Sequence, residues 1–254
     1  MIDYICRPEG IRKDQWPTVR NSLAILGRGT STRVELFSEV GVSSGKADRL
    51  MGTLRRKQYI DEDVVQLVGS LRLGLVRLTD QGKQTARRYV YQDNYSIPVY
   101  SEWERLLDHH QGEYQPRHTS AILYMAYFAR MCGWKVEIAP KSSLDGFDPD
   151  MLLSSGKSKI YFEFEMADRG FIKNRTDKWY RKWSRQRELQ HHIAVCTLTS
   201  QRSERYKRLC QENNWRGFIT DVTTLRKKAK AGKLQKLDDL YEIFNPLGNA
   251  HQQK

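Results

Sequence analysis

Phe147-Asp148-Pro149-Asp150, followed by Ile160-Tyr161-Phe162-Glu163-Phe164-Glu165, is the stretch whose reading decides the fold. Side chains alternate along a strand, so Tyr161, Glu163 and Glu165 share one face while Ile160, Phe162 and Phe164 share the other. The apolar run reads as a central strand, where acids are unexpected. Two carboxylates side by side on such a strand repel each other and are costly to desolvate. A divalent cation between them and Asp150 removes that cost, and a cation held by carboxylates points to phosphodiester chemistry. The bland alternative is a set of surface acids on an edge strand. Asp148 shares the parity of Asp150 and is a second candidate for the first ligand, although a residue before Pro149 favours the turn.

Around this core the second half of the chain reads as alternating elements. Helices are expected over 101–110, 118–132, 172–189, 201–213 and 223–230. Strands are expected over 134–139, 150–154, 160–166, 193–198 and 217–222, with Ser155-Gly156-Lys157 as a turn. A hairpin followed by αβ units predicts an α/β domain with a mixed sheet between helices, over residues 101–231, with 232–254 as a tail.

Before a break near 91–101, residues 1–92 give helix, helix, helix, hairpin, helix. Pro17 opens the first helix, over 17–26, and the second covers 32–40. Gly41-Val42 forms a sharp turn, and Ser43 is the expected N-cap of a helix over 43–57. Val64–Val68 and Leu71–Leu78 form the hairpin around Gly69-Ser70, and Thr79 caps the closing helix. This is a winged helix-turn-helix plan, with helix 43–57 entering the major groove.

The chain has 254 residues, a formal net charge of +13 and a sequence pI of about 9.6. That balance points to nucleic acid as partner, with an anionic membrane as the rival that lacks an apolar run or basic anchor to support it. The expected DNA-binding set is Ser43, Ser44, Lys46, Arg49, Arg55 and Arg72 in the first domain, and Lys173, Arg175, Arg181 and Lys182 on helix 172–189. On that helix Trp179, Tyr180 and Trp183 interleave the basic residues. The basic run from Arg226 to Lys236 either follows a phosphate backbone or is a solvated helix face. The N-terminus shows no signal-peptide core, and Cys6, Cys132, Cys196 and Cys210 form no CxxC pair, so a reducing cytoplasm is expected. The adjacent pairs His109-His110 and His191-His192 point in divergent directions and are no ready chelate.

Pro149-Asp150 opening the second strand of an α-βββ-αβ order, with Glu163-Phe164-Glu165 in the third, resembles the PD-(D/E)xK nuclease superfamily over residues 113–222. The resemblance implies a restriction-endonuclease-like domain that binds Mg²⁺ or Mn²⁺ through Asp150, Glu163 and Glu165. Where that family usually has lysine, this chain has Glu165. Members that move the lysine onto the following helix make Lys178 the expected stand-in. A winged helix joined to such a domain is also similar to the replication-relaxation family of mobile elements. The expected activity is Mg²⁺-dependent DNA cleavage, with a homodimer supplying two sites if both strands are cut. The alternative is a DNA-binding regulator or replication initiator on a nuclease-like scaffold.

Overall fold

The computed structural model describes residues 7–92, 99–141, 144, 147–166 and 176–246, without the side chains of residues 176–179. The chain divides into two compact units. One runs to Glu113 apart from Leu67–Leu71, which group with the second, from Tyr114 onward.

The first unit contains α1 (Trp16–Gly27), α2 (Arg33–Val40), α3 (Ser44–Arg56), the hairpin β1 (Ile60–Val68) and β2 (Leu71–Leu78), α4 (Asp80–Tyr89) and α5 (Glu102–His109). Thr32 caps α2 by accepting the Glu35 N–H, and Gly41 ends it with φ of 70°, a left-handed turn that suits glycine. Ser43 occupies the N-cap of α3 as expected, but its side chain makes no capping hydrogen bond. Ala47, Leu50, Met51 and Leu54 are the buried stripe of α3, spaced for one helical face. Leu50, Met51 and Leu54 join Trp16, Leu23, Leu26 and Val76 in one core.

Strand β1 starts four residues before the expected Val64. The acid run Asp61-Glu62-Asp63 looks like a loop, yet Glu62 is drawn into the strand by two guanidiniums, Arg33 at 2.9 Å and Arg55 at 2.6 Å. Helix α5 lies on the first unit rather than opening the second. Its Glu102 N–H donates to Gly29 O at 2.9 Å, and its Trp103 N–H donates to Ser31 Oγ at 3.0 Å. Ser101 and Glu104 form a reciprocal capping box at its start, which explains why the helix begins there.

The second unit is built on a six-stranded mixed sheet in the order β3-β4-β5-β6-β7-β8. The strands are β3 (Lys135–Ile138), β4 (Met151–Ser155), β5 (Ser158–Glu165), β6 (Ile193–Thr197), β7 (Gly217–Asp221) and β8 (Glu242–Phe244). Strands β3 to β5 are antiparallel, β5 to β7 are parallel, and β8 runs antiparallel to β7. Gly156, with φ of 57°, makes the β4–β5 turn. The helices are α6 (Pro116–Met131), α7 (Thr176–Gln190), α8 (Ser200–Glu212) and α9 (Val222–Lys230). Helices α7 and α8 cover the sheet through Trp183, Tyr206, Leu209 and Cys210, packed with Ile193, Val195 and Ile219. The expected mixed sheet between helices is therefore present.

The expected tail from residue 232 is a correction. Leu234, Leu240 and Tyr241 are buried, Trp134 Nε1 donates to Leu237 O at 3.1 Å, and β8 adds the sixth strand. Three residues with Ile243 half exposed carry no readable alternation, so only the neighbouring edge of β7 makes them a strand.

Candidate functional site

The acids of the sequence motif meet at one end of β5. Asp150 immediately precedes β4, and the β4–β5 register pairs Met151 with Phe162, which sets Asp150 opposite Glu163. Both are 4% exposed. Asp150 Oδ2 accepts the Phe164 N–H at 2.8 Å, a bond that locks the carboxylate to the strand. Glu163 and Glu165 lie on one face of β5, and Glu163 is level with Val195 of β6. Asp148, the rival first ligand, is exposed.

Among the described side chains, the lysine between these acids is Lys182. Its Nζ lies 2.7 Å from Glu163 Oε2 and 3.0 Å from Glu165 Oε1. Lys178 was expected in this role, but its side chain lies outside the described residues. Lys182 sits one helical turn farther along α7 and was expected on a DNA-facing surface. Its place is fixed by its own helix: Lys182, Gln186 and Gln190 form a stripe at four-residue spacing. The Gln186 Nε2 donates to Tyr161 O at 2.8 Å and to Ala194 O at 3.0 Å, while its Oε1 accepts the Ala194 N–H at 2.9 Å. Gln190 accepts the Tyr161 N–H at 2.8 Å and returns a bond to Tyr161 O at 3.0 Å. The β5–β6 ladder begins only at Glu163 and Val195, so these carboxamides satisfy peptide groups that the two strands leave open. They also hold α7 in the register that delivers Lys182 to the acids.

His118, on α6, completes the cluster. Its Nε2 is 3.4 Å from Asp150 Oδ2 and 3.2 Å from Phe164 O. A ring nitrogen facing two acceptors holds a proton there.

Charge explains the state of each group. Burial pushes the Glu163 carboxyl up to about 8, with Asp150 and Glu165 adding to the rise and Lys182 opposing it. Burial also works against the Asp150 carboxylate, but the His118 hydrogen bond and charge, then Lys182 and the Phe164 N–H, hold it below its ordinary value. Burial would lower His118, yet Asp150 and Phe164 O raise it. Lys182 is raised against its burial by Glu163, Glu165 and Asp150.

A pH dependence follows. Glu163, raised from 4.5 to about 8, contributes stability that is fully present below 4.5 and lost as pH rises through about 8. His118 is also raised from 6.5, so its contribution is lost in the same direction as pH rises. The shifts of Asp150 and Lys182 act below and above this window. Buried His192, lowered from 6.5 to about 4, adds stability as pH rises to 6.5, so in chelator the unfolding midpoint is expected to fall from pH 6.5 to pH 9, and Glu163→Gln should flatten the fall. A midpoint that rises over this range in wild type would contradict the assignment of Glu163.

The expected DNA contacts separate. Ser43, Ser44, Lys46 and Arg49 are exposed along α3, and Arg72 is exposed on β2. Arg55 pairs with Glu62 while its side chain stays 52% exposed. Arg181 is exposed on α7, whereas Lys173 and Arg175 lie outside the described residues. His118 escaped the sequence reading because one histidine at the head of an apolar helix carries no spacing signal. Gln186 and Gln190 were masked by the basic residues around them. No protein-family model, curated protein or solved structure matches this chain.

Proposed function

We propose that this chain is a metal-dependent DNA nuclease of PD-(D/E)xK type, with a winged helix-turn-helix in its first unit. The observation that carries the reading is the gathering of Asp150, Glu163 and Glu165, with Lys182 between the glutamates, at one end of a mixed sheet. Asp150, Glu163 and Glu165 offer carboxylate oxygens of the kind a hard divalent cation takes, two of them on buried residues whose mutual repulsion a cation would relieve, and the His118 ring nitrogen stands beside Asp150. Asp150, Glu163 and Glu165 would hold Mg²⁺ or Mn²⁺, which supplies Lewis-acid stabilisation of charge on a phosphodiester. His118 and the Phe164 N–H orient Asp150. Lys182 brings a fixed positive charge to the place where a phosphodiester becomes more negative on attack.

In the first unit, α2 and α3 supply a helix-turn-helix and β1–β2 a wing. Ser43, Ser44, Lys46 and Arg49 then read the major groove. Among the described residues no helix is long and apolar enough to cross a membrane. A cytoplasmic protein of a mobile element, acting as a homodimer where both strands are cut, completes the reading.

One observation favours the second reading, a DNA-binding regulator or replication initiator. The Lys182 ammonium already neutralises Glu163 and Glu165 without any metal. Supercoiled plasmid incubated with Mg²⁺ or Mn²⁺ tests between the two. The nuclease predicts nicked or linear product, and a calorimetric metal-binding signal that Asp150→Asn abolishes. Neither product nor binding heat, over varied DNA sequences, supports the regulator.

A further inference from the structure

Helix α9 opens at the sheet end that carries the acids and closes on a run of lysines. The parallel registers set Glu165, Thr197 and Asp221 level, and Asp221 caps the helix by accepting the Thr224 N–H at 2.9 Å. Nine residues of helix put its last turn roughly 14 Å from that start. Val222 and Leu225 are buried, while Lys227 and Lys230, about one turn apart, are exposed. Lys233 is exposed just beyond the helix. Its N–H donates to Lys228 O at 2.8 Å, and the Gly232 N–H donates to Ala229 O at 3.0 Å, with Gly232 at φ of 65°. These two bonds close the helix and fix the backbone of Lys233 beside its last turn. Buried Leu234 and a bond from Lys228 Nζ to Asp239 O at 2.6 Å hold the turn down.

A helix dipole favours cations in the last turn, which accounts for Lys227 and Lys230 but not for Lys233 beyond it. Ion pairing accounts for none of the three. No acid occurs from Val222 to Leu237. Asp239 accepts the N–H groups of Gln235 and Lys236, both at 3.0 Å, and its charge acts on Lys236 and Lys228. Among the described residues, Lys227, Lys230 and Lys233 meet no carboxylate within ion-pair distance. An exposed cationic face on a hydrogen-bonded backbone suits a polyanion, because little backbone order is lost on contact. Ammonium groups meet phosphates as point charges and read no base edges. A membrane contact would need apolar side chains beside the lysines. The exposed large hydrophobics are Val64, Tyr114, Met131 and Ile243, and none lies between 222 and 240.

We propose that Lys227, Lys230 and Lys233 form a sequence-independent contact for nucleic-acid phosphates, separate from the acid cluster. The contact rests on the reading of nucleic acid as the partner, and not on cleavage at the acids. It differs from the expected DNA contacts on α3 and α7, and it gives the basic run after Arg226 a partner.

The test measures binding of a fluorescent DNA duplex to the full chain by anisotropy, in chelator, over a salt series. Lys227→Gln with Lys230→Gln and Lys233→Gln should weaken binding at least about tenfold at low salt and reduce the salt slope by about 2 to 3. Circular dichroism should show the fold intact. Arginine at the same three positions should restore both affinity and slope. Unchanged affinity and slope in the glutamine variant would overturn the contact, and so would a wild type that binds no duplex. A glutamine variant that binds duplex normally but no longer sediments with phosphatidylglycerol vesicles would also overturn it, in favour of a membrane contact. Chelator removes cleavage from the measurement. A wild type that binds through these lysines yet never nicks plasmid with Mg²⁺ would therefore overturn the nuclease reading alone.

Discussion

Glu163→Gln is expected to abolish cleavage, by at least about 10²-fold, while making the metal-free protein more stable. The two effects share one cause. The carboxyl is 4% exposed and faces Asp150 and Glu165, so ionising it costs free energy. Glutamine keeps the shape and removes the charge. The same charge is what a divalent cation needs, so affinity for Mg²⁺ or Mn²⁺ should fall with activity. Glu165→Gln should fail in the same way, with a smaller stability gain because its side chain is 20% exposed. Glu165→Lys, which restores the commoner motif, should be inactive if Glu165 is a required ligand. Plasmid nicking, calorimetry with Mn²⁺ and thermal melts in chelator read the three quantities. Cleavage by Glu163→Gln within twofold of wild type would sink the site assignment.

The second large effect belongs to Lys182. Lys182→Met should bind metal more tightly than wild type and yet cleave about 10²–10³-fold more slowly. Without metal, the ammonium stands 2.7 Å from Glu163 and 3.0 Å from Glu165, so it competes with any cation for those oxygens. Removing it takes the ammonium partner from Glu163 and Glu165 and should destabilise the metal-free protein by on the order of 2 kcal/mol, given that the side chain is 33% exposed. Saturating Mg²⁺ should restore that stability through mass action. Single-turnover rates, binding isotherms and melts with and without metal report the split. Lys178→Ala is the contrasting variant and should retain activity. If Lys178→Ala is dead while Lys182→Met cleaves normally, the role returns to Lys178.

The place of Lys182 shows where a sequence reading reaches its limit. Lys182 lies on a helix rich in basic residues, and the sequence marks it only as one DNA contact among several. Its place depends on the rotation and register of α7 against β5. Gln186 and Gln190 set that register by bonding Tyr161 and Ala194, and Trp183, fully buried, fixes the rotation. Nothing in the spacing of charges reports either. His118 is a similar case, because its meeting with Asp150 joins residues from separate elements.

Local rules were enough elsewhere. The alternation of Ile160–Glu165 determined which residues face together, because the side-chain period of a strand is two. Pro17, Gly41, Thr79 and Gly156 marked element ends through fixed φ, left-handed turns and capping oxygens. The mixed sheet between helices followed from the order of elements. The sequence by itself therefore determined most of the elements, the faces of β5 and the grouping of its acids. Tertiary structure alone decided that Lys182 pairs with Glu163 and Glu165, that Arg55 pairs with Glu62, that α5 belongs to the first unit, and that Glu242–Phe244 is a strand. Each of these depends on contacts between residues distant in the chain, and their energies come from burial and pairing that no local pattern encodes.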